Sequence, residues 1–124
     1  MKAEFDLLDR LIDFSVAIIR LVEALPSNKA ANLVSGQILR SGTSPAPNYA
    51  ESQSAESTDD FIHKNKIALK ELRETQVWLK VIKKAGLLDE SPERLERLLQ
   101  ENNELIAILF TSIATAKRNA AKTK

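Results

Sequence analysis

Apolar residues recur at steps of three and four along four long stretches of the chain, which places them on one face of a helix in each stretch. The predicted helices cover about residues 4–25, 28–56, 58–85 and 92–119. No stretch alternates apolar and polar residues as a half-buried strand does. Four long helices with short links predict an all-α fold, an antiparallel up-down-up-down four-helix bundle over residues 1–124 as a single domain.

Residues with strong preferences for helix ends lie between these stretches. Ser27 or Asn28 can cap the second helix, because their side chains can accept a hydrogen bond from a free backbone N–H. Ser57 or Thr58 can cap the third helix in the same way. Gly86 suits the end of that helix, where a left-handed residue is common.

The stretch LRSGTSPAPNYAES, residues 39–52, interrupts the second helix. Pro45 and Pro47 lack the backbone N–H that a helix interior requires. They fit the first turn of a helix that restarts with Ser44 as its cap, since N–H groups there have no helical partner anyway. We expect a kink or short break near residues 42–47, with Gly42 supplying conformational freedom.

Composition excludes several classes of protein. The chain has 124 residues, 44% hydrophobic and 28% charged, with a formal net charge of +1 and no cysteine. The absence of cysteine excludes disulfides and thiol chemistry, and it suits a reducing compartment. The N-terminal residues include acids, unlike a signal peptide, and no apolar run approaches the ~20 residues of a membrane span. We expect a cytoplasmic protein that does not enter the membrane.

Catalytic and cofactor sites are not supported by the residue pattern. A phosphate-binding loop needs a lysine directly after its glycine turn, whereas here no lysine follows Gly42 until position 64. A nucleophilic Ser41 or Ser44 has only His63 as a potential imidazole base. That single histidine, three residues after Asp60, cannot complete a di-iron pattern. We therefore predict no enzymatic activity, no metal and no cofactor.

The helical wheel of the third helix points Ala68, Leu72, Thr75, Leu79 and Ile82 inward, together with Phe61. Glu71 lies close to that face and Glu74 lies beside it, and carboxylates near a core need a partner. Lys64 is one candidate, and Arg40 and Asn48 are others. The predicted structural network consists of Arg40, Asn48, Glu51, Glu71 and Glu74. The alternative is a catalytic or ligand-binding role, with Glu71 as the acid or base.

Two further surfaces of the third helix lie outside its core face. Ile67, Trp78 and Val81 form an apolar strip that either packs against a neighbouring helix or forms an oligomer interface.

The face of the third helix opposite the core carries the cations Lys66, Lys70, Arg73, Lys80 and Lys84. The basic tail adds Lys117, Arg118, Lys122 and Lys124. These residues either bind the phosphates of RNA or form a solvated face, and no aromatic residues are interleaved with them for base stacking.

Phe5, Phe14 and Phe110 are expected in the core or at its rim.

Three segments, QILRSGTSPAPNYAES, DFIHKNKIALKELRETQVWL and ENNELIAILFTSIATAK, resemble the four-helix bundle family of 23S rRNA intervening-sequence-encoded proteins. The resemblance covers nearly the whole chain in the same helix order. One departure is Gln76-Val77, where the family often has a Glu-aromatic pair. The resemblance implies an up-down-up-down bundle with relatives that assemble as homopentamers around a channel, and with no established enzymatic activity.

A more distant relative is the accessory protein of diversity-generating retroelements, which resembles a basic pentameric barrel that works with reverse transcriptase and RNA. Two hypotheses follow from the residues and the resemblance together. The first is a homo-oligomer that binds RNA or a nucleoprotein through its basic surface. The second is a protein-interaction scaffold without nucleic-acid binding.

Overall fold

The computed structural model describes residues 6–122 and contains five helical segments. They are α1 (Leu7–Ala24), α2 (Lys29–Thr43), α3 (Pro45–Ser52), α4 (Thr58–Ala85) and α5 (Glu93–Lys122). Helices α2 and α3 together form the predicted second helix, with a bend of 18° between them. Residues 6–122 include no strand. The predicted all-α fold with a kinked second helix is confirmed.

Each helix packs against its neighbours in the chain, as short connections require. Helix α1 lies along α2 and α3, which lie along α4, and α4 has an extensive contact with α5. The contact that closes the bundle, between α1 and α5, is the sparsest of these. Helix α4 therefore lies between α2–α3 on one flank and α5 on the other.

Side chains that cap the backbone define the helix ends. Asp6, Asn28 and Ser57 each accept a backbone N–H bond, at 3.0, 2.9 and 3.1 Å. Asp6 has an extended backbone, so α1 begins at Leu7, and the predicted start near residue 4 lies outside the described residues. Gly86 adopts the left-handed conformation, with φ of 65°, and ends α4 as expected. Phe5 and Lys124 lie outside the described residues.

The joint between α2 and α3 is a bend in a continuous helical path. Ser44 has helical backbone angles and makes no capping bond, so its predicted role as a helix cap is wrong. Its N–H donates to the Arg40 carbonyl at 3.2 Å, and its own carbonyl accepts the Asn48 N–H at 3.3 Å. Pro45 and Pro47 leave the carbonyls four residues before them without their helical donors, which accounts for the bend.

Gly42 is required by a close approach of α1 to α2. It is buried and helical, and a Cβ atom there would lie 2.8 Å and 2.9 Å from the two γ carbons of Ile18. The hydroxyl of Ser15 donates to the Gly42 carbonyl at 3.2 Å on the same seam. The role of Gly42 is therefore to let two helices approach, and not to loosen the chain before the kink.

The core is aliphatic, in keeping with an aromatic content of only 5%. Its largest fully buried apolar side chains are Leu11, Ile18, Leu21, Ile38, Leu72, Leu79, Ile82, Leu105 and Leu109. The five predicted inward residues of α4 from Ala68 to Ile82 are all buried, whereas Phe61 is half-buried. Phe14 is a core residue, but Phe110 is 57% exposed, so its predicted place in the core or rim is wrong.

We predict opposite effects on stability for alanine at two glycines of α2. Gly42→Ala should lower the free energy of unfolding by about 1–3 kcal/mol, because the β-branched Ile18 cannot yield to the new methyl group. Gly36→Ala is the matched control, since nothing lies within 4 Å of its Cβ position. It should raise stability by about 0.5–1 kcal/mol through helix propensity. Urea unfolding followed by circular dichroism measures both, and equal effects would contradict the proposed close packing.

Candidate nucleic-acid interface

A buried polar contact joins α2 to α4 inside the apolar core. Ser41 and Thr75 are both fully buried, and their hydroxyl oxygens lie 2.9 Å apart. The Thr75 hydroxyl also lies 2.8 Å from the backbone carbonyl oxygen of Glu71, one turn earlier. Because buried hydroxyl groups need partners, this pair ties the rotation of α4 to the position of α2.

Arg40 binds the two carboxylates of α4 that lie nearest the core. Its guanidinium donates to Glu71 at 2.8 Å and also to Glu74. The indole N–H of Trp78 donates to the same carboxylate of Glu74 at 3.1 Å. The Glu71 side chain is only 13% exposed, so Arg40 supplies the partner that this carboxylate needs. The geometry supports a structural role for Glu71, the first of the two interpretations of the sequence.

The other residues of the predicted network lie apart from this cluster. Glu51 of α3 accepts a hydrogen bond from Lys64 of α4 at 2.7 Å, and this bond raises the pKa of Lys64 above its usual value. The Asn48 amide donates to the carbonyl and hydroxyl oxygens of Ser44, both at 3.0 Å. The five residues thus take part in three ion pairs between helices, two of them at Arg40, and in two hydrogen bonds of Asn48 within the bend.

The predicted apolar strip on α4 is partly covered within the chain. Trp78 and Val81 are half-buried and pack against the core, and Ile67 is also half-buried. Lateral packing, the other interpretation of this strip, therefore describes Trp78 and Val81.

Exposed apolar side chains are concentrated on α1 instead. Ile12, Val16 and Ile19 are 43%, 44% and 37% exposed. Their spacing of four and three residues places them on one helix face. We refer to these three side chains as the α1 apolar face.

The predicted cations of α4 all lie on the surface. Lys66, Lys70, Arg73, Lys80 and Lys84 are exposed, as are Lys117 and Arg118 on α5. We call these seven residues the cationic face. Over residues 6–122, none of the seven forms an ion pair with a carboxylate.

Lys66 and Lys117 show that the two helices share this surface. The neighbouring Lys66 side chain lowers the pKa of Lys117, because two ammonium groups close together disfavour each other's charged form. The stripe on α4 and the basic end of α5 therefore form one continuous face. Sequence reasoning named both groups of cations, but it could not place them side by side.

The carboxylates that would neutralise this face are directed to other helices. Within residues 97–122 of α5 the acids are Glu101 and Glu104. Both bind Arg10 of α1, with bonds of 2.7 Å to each oxygen of Glu101 and 2.6 Å to Glu104. These bonds raise the pKa of Arg10 and lower that of Glu104. Arg40 holds Glu71 and Glu74 of α4 in the same way, so both helices keep their cations on the shared outer face.

Two buried asparagines were not recognised as special in the sequence. The Asn102 amide of α5 donates to the Leu72 carbonyl and to the Gln76 side chain of α4, both at 2.9 Å. The Asn65 amide donates to the Phe61 carbonyl at 2.8 Å. Among the described residues, no partner reaches the side-chain oxygen of either asparagine. A single polar residue inside the apolar run of α5 was the available signal for Asn102.

The described residues contain no cluster of three or more His, Cys, Asp and Glu side chains that could hold a metal ion. His63 is exposed on α4. No helix between residues 6 and 122 is long and apolar enough to cross a membrane. The groove between α1 and the start of α5 has charges of both signs, including the ion pair of Arg94 with Glu90 at 3.0 Å.

Comparison with known families finds a match over most of the chain. The family model of the 23S rRNA-intervening sequence protein matches residues 3–111. The chain belongs to this family. A crystal structure from Bacteroides thetaiotaomicron, described as a protein of unknown function from the S23 ribosomal protein family, is 34% identical. The match covers 87% of this chain and 98% of that one, with a TM-score of 0.79. No curated protein matches the chain significantly.

We predict that Arg40→Ala lowers the free energy of unfolding by about 1–2 kcal/mol, because it leaves the half-buried Glu71 carboxylate without its partner. Arg20→Ala is the control, since Arg20 pairs with Glu23 where both side chains are more than half exposed. That variant should change stability by less than about 0.5 kcal/mol. Denaturant titration of both variants measures the difference, and an equal loss would contradict a structural role for Arg40.

Proposed function

We propose that this member of the 23S rRNA-intervening sequence protein family is a binding protein, not an enzyme, and that it binds RNA through the cationic face. The observation that carries the proposal is seven exposed cations on two adjacent helices, none paired with a carboxylate within the described residues. Arg10 and Arg40 hold four carboxylates of α4 and α5 away from this face, namely Glu71, Glu74, Glu101 and Glu104. The cytoplasm is the proposed location, which the absence of cysteine supports.

The dimensions of the cationic face suit a phosphate backbone. From Lys66 to Lys84, α4 rises by roughly 27 Å at 1.5 Å per residue. Cations along such a length release counterions from several phosphates, which gives affinity without reading the base sequence. Contacts to phosphates position a nucleic acid but carry no information about its base sequence. We therefore propose binding that does not depend on sequence.

We also propose that the protein functions as a homo-oligomer, with five copies by its resemblance to the family. The α1 apolar face supports self-association, because three large apolar side chains on one helix face are costly to leave in water. It lies on α1, whereas the cationic face lies on α4 and α5. An oligomer formed through α1 leaves the cations accessible and multiplies their local field.

A protein-interaction scaffold without nucleic-acid binding is the second candidate function. The α1 apolar face favours it, since the same side chains can contact a different protein. Either a second copy of the chain or a different protein could cover Val16. Self-association raises the mass measured for the purified protein, whereas binding to a different protein does not. The unpaired cations have no evident use in this alternative, so RNA binding stays the first candidate.

For RNA binding, we predict that the double charge reversal Lys70→Glu with Arg73→Glu weakens binding at least tenfold. The probes are a 12-nucleotide oligouridylate and a 12-base-pair RNA duplex, each measured by fluorescence anisotropy at several salt concentrations. Removing two phosphate contacts should also reduce the salt slope for the single strand by about 1.4. Arg20→Glu with Lys29→Glu changes the net charge equally on other helices and serves as the control. Equal losses for the two double variants would contradict a defined cationic face.

For the oligomer, we predict that Val16→Glu dissociates the assembly into chains of 13.8 kDa. Val77→Glu is the matched control, because Val77 is an exposed valine on α4 and outside the α1 apolar face. It should leave the assembly intact. Multi-angle light scattering gives the mass of each variant. A wild-type monomer at high concentration, or dissociation by both substitutions, would contradict assembly through α1.

A further inference from the structure

Phe110 of α5 is the one large aromatic side chain between residues 6 and 122 that is mostly exposed, at 57%. The sequence places it next to the core residue Leu109, but its ring points away from the core. Phe110 precedes Lys117 by seven residues, and residues at that spacing share a helix face. Lys117 contacts Lys66 of α4, so Phe110 also lies on the flank of α5 that faces α4.

The register between the helices locates Phe110 along α4. Asn102 of α5 bonds to Leu72 and Gln76, so it lies opposite a point near residue 74 of α4. The helices are antiparallel and rise equally per residue. Eight residues further along α5 is Phe110, and eight residues back along α4 is Lys66. This register places Phe110 at the level of Lys66, on the side of α5 that adjoins the cationic face.

The surroundings of the ring indicate what covers it. Its neighbours on the outer side of α5 are small or polar, Asn103, Ala107, Thr111 and Ala114, so no wide apolar patch is available for a protein partner. A second copy of this surface would bring like charges together, which opposes association. A polyanion with exposed aromatic faces meets both requirements, because its phosphates neutralise the cations while its bases stack on the ring.

We infer that Phe110 is a stacking platform for an unpaired nucleobase, so that RNA on the cationic face is single-stranded where it passes α5. A duplex offers phosphates to the lysines but no free base face to the ring. This inference rests on the proposed RNA binding and deepens it, since it names single-stranded RNA as the form that is bound. The ring supplies the aromatic group that the cationic stripe of α4 lacks, and it comes from the neighbouring helix.

The test compares Phe110→Leu with Phe110→Tyr on the full chain, using the same 12-nucleotide oligouridylate and 12-base-pair duplex. Leucine keeps the apolar bulk but removes the π face, so it should weaken single-strand binding by about tenfold. Tyrosine keeps the ring and should bind within about twofold of wild type. Both variants should keep the wild-type affinity for the duplex and the wild-type salt slope. The substituted side chain is at the surface, and circular dichroism verifies the fold.

The outcomes separate this inference from the proposed function. If Lys70→Glu with Arg73→Glu weakens binding but Phe110→Leu does not, RNA binding stands and the stacking role is overturned. If Phe110→Leu weakens the duplex and the single strand equally, the preference for unpaired RNA is overturned. A change of oligomer mass in Phe110→Leu would identify the ring as a protein contact and would also overturn the inference. Wild-type protein without salt-dependent affinity for either RNA would overturn both proposals.

Discussion

The rotation of α4 about its own axis is the constraint on which the rest of this structure depends. The buried contact between Thr75 and Ser41 and the ion pairs of Arg40 with Glu71 and Glu74 fix that rotation against α2. Once it is fixed, the apolar residues of α4 face the core and its acids face α2. Its lysines and Arg73 are then left on the outside. If α4 were rotated differently, either charged side chains would be buried or Glu71 and Glu74 would have no cationic partner. Each of these arrangements is costly in a low-dielectric environment.

Polar contacts also fix the position of α5, which packs on the other flank of α4. Asn102 sets its register against α4 through two hydrogen bonds at 2.9 Å, and Arg10 draws Glu101 and Glu104 towards α1. The consequence is a separation of charge in a protein with a formal net charge of only +1. Five carboxylates pair with cations across the seams between helices: Glu51, Glu71, Glu74, Glu101 and Glu104. Within residues 6–122, the residues of the cationic face make no such ion pair. A local potential of this kind can attract a polyanion although the whole chain is nearly neutral.

The packing of α1 against α2 is determined by steric fit, whereas hydrogen bonds and ion pairs determine how α4 packs against α2 and α5. Gly42 lets Ile18 approach the backbone of α2, and this approach sets how far α1 can turn. The α1 apolar face, made up of Ile12, Val16 and Ile19, is left at the surface. The same helix thus contributes one apolar face to the core and a second one to the exterior, which is typical of a subunit that associates with another chain.

Sequence periodicity by itself determined the four helices, the kink at Pro45 and Pro47, the aliphatic core of α4 and the existence of the cationic stripe. These are local properties, because helix-ending residues and three- or four-residue spacing act within one segment. The interpretation of Phe110 as a core or rim residue, of Ser44 as a cap and of Gly42 as a loosening residue was wrong, since each depends on what a neighbouring helix does. Only the tertiary structure decided which carboxylates Arg10 and Arg40 neutralise, and that Lys117 and Phe110 of α5 lie beside Lys66 of α4. Those relations join residues far apart in the chain, and the rotation and register of packed helices set them.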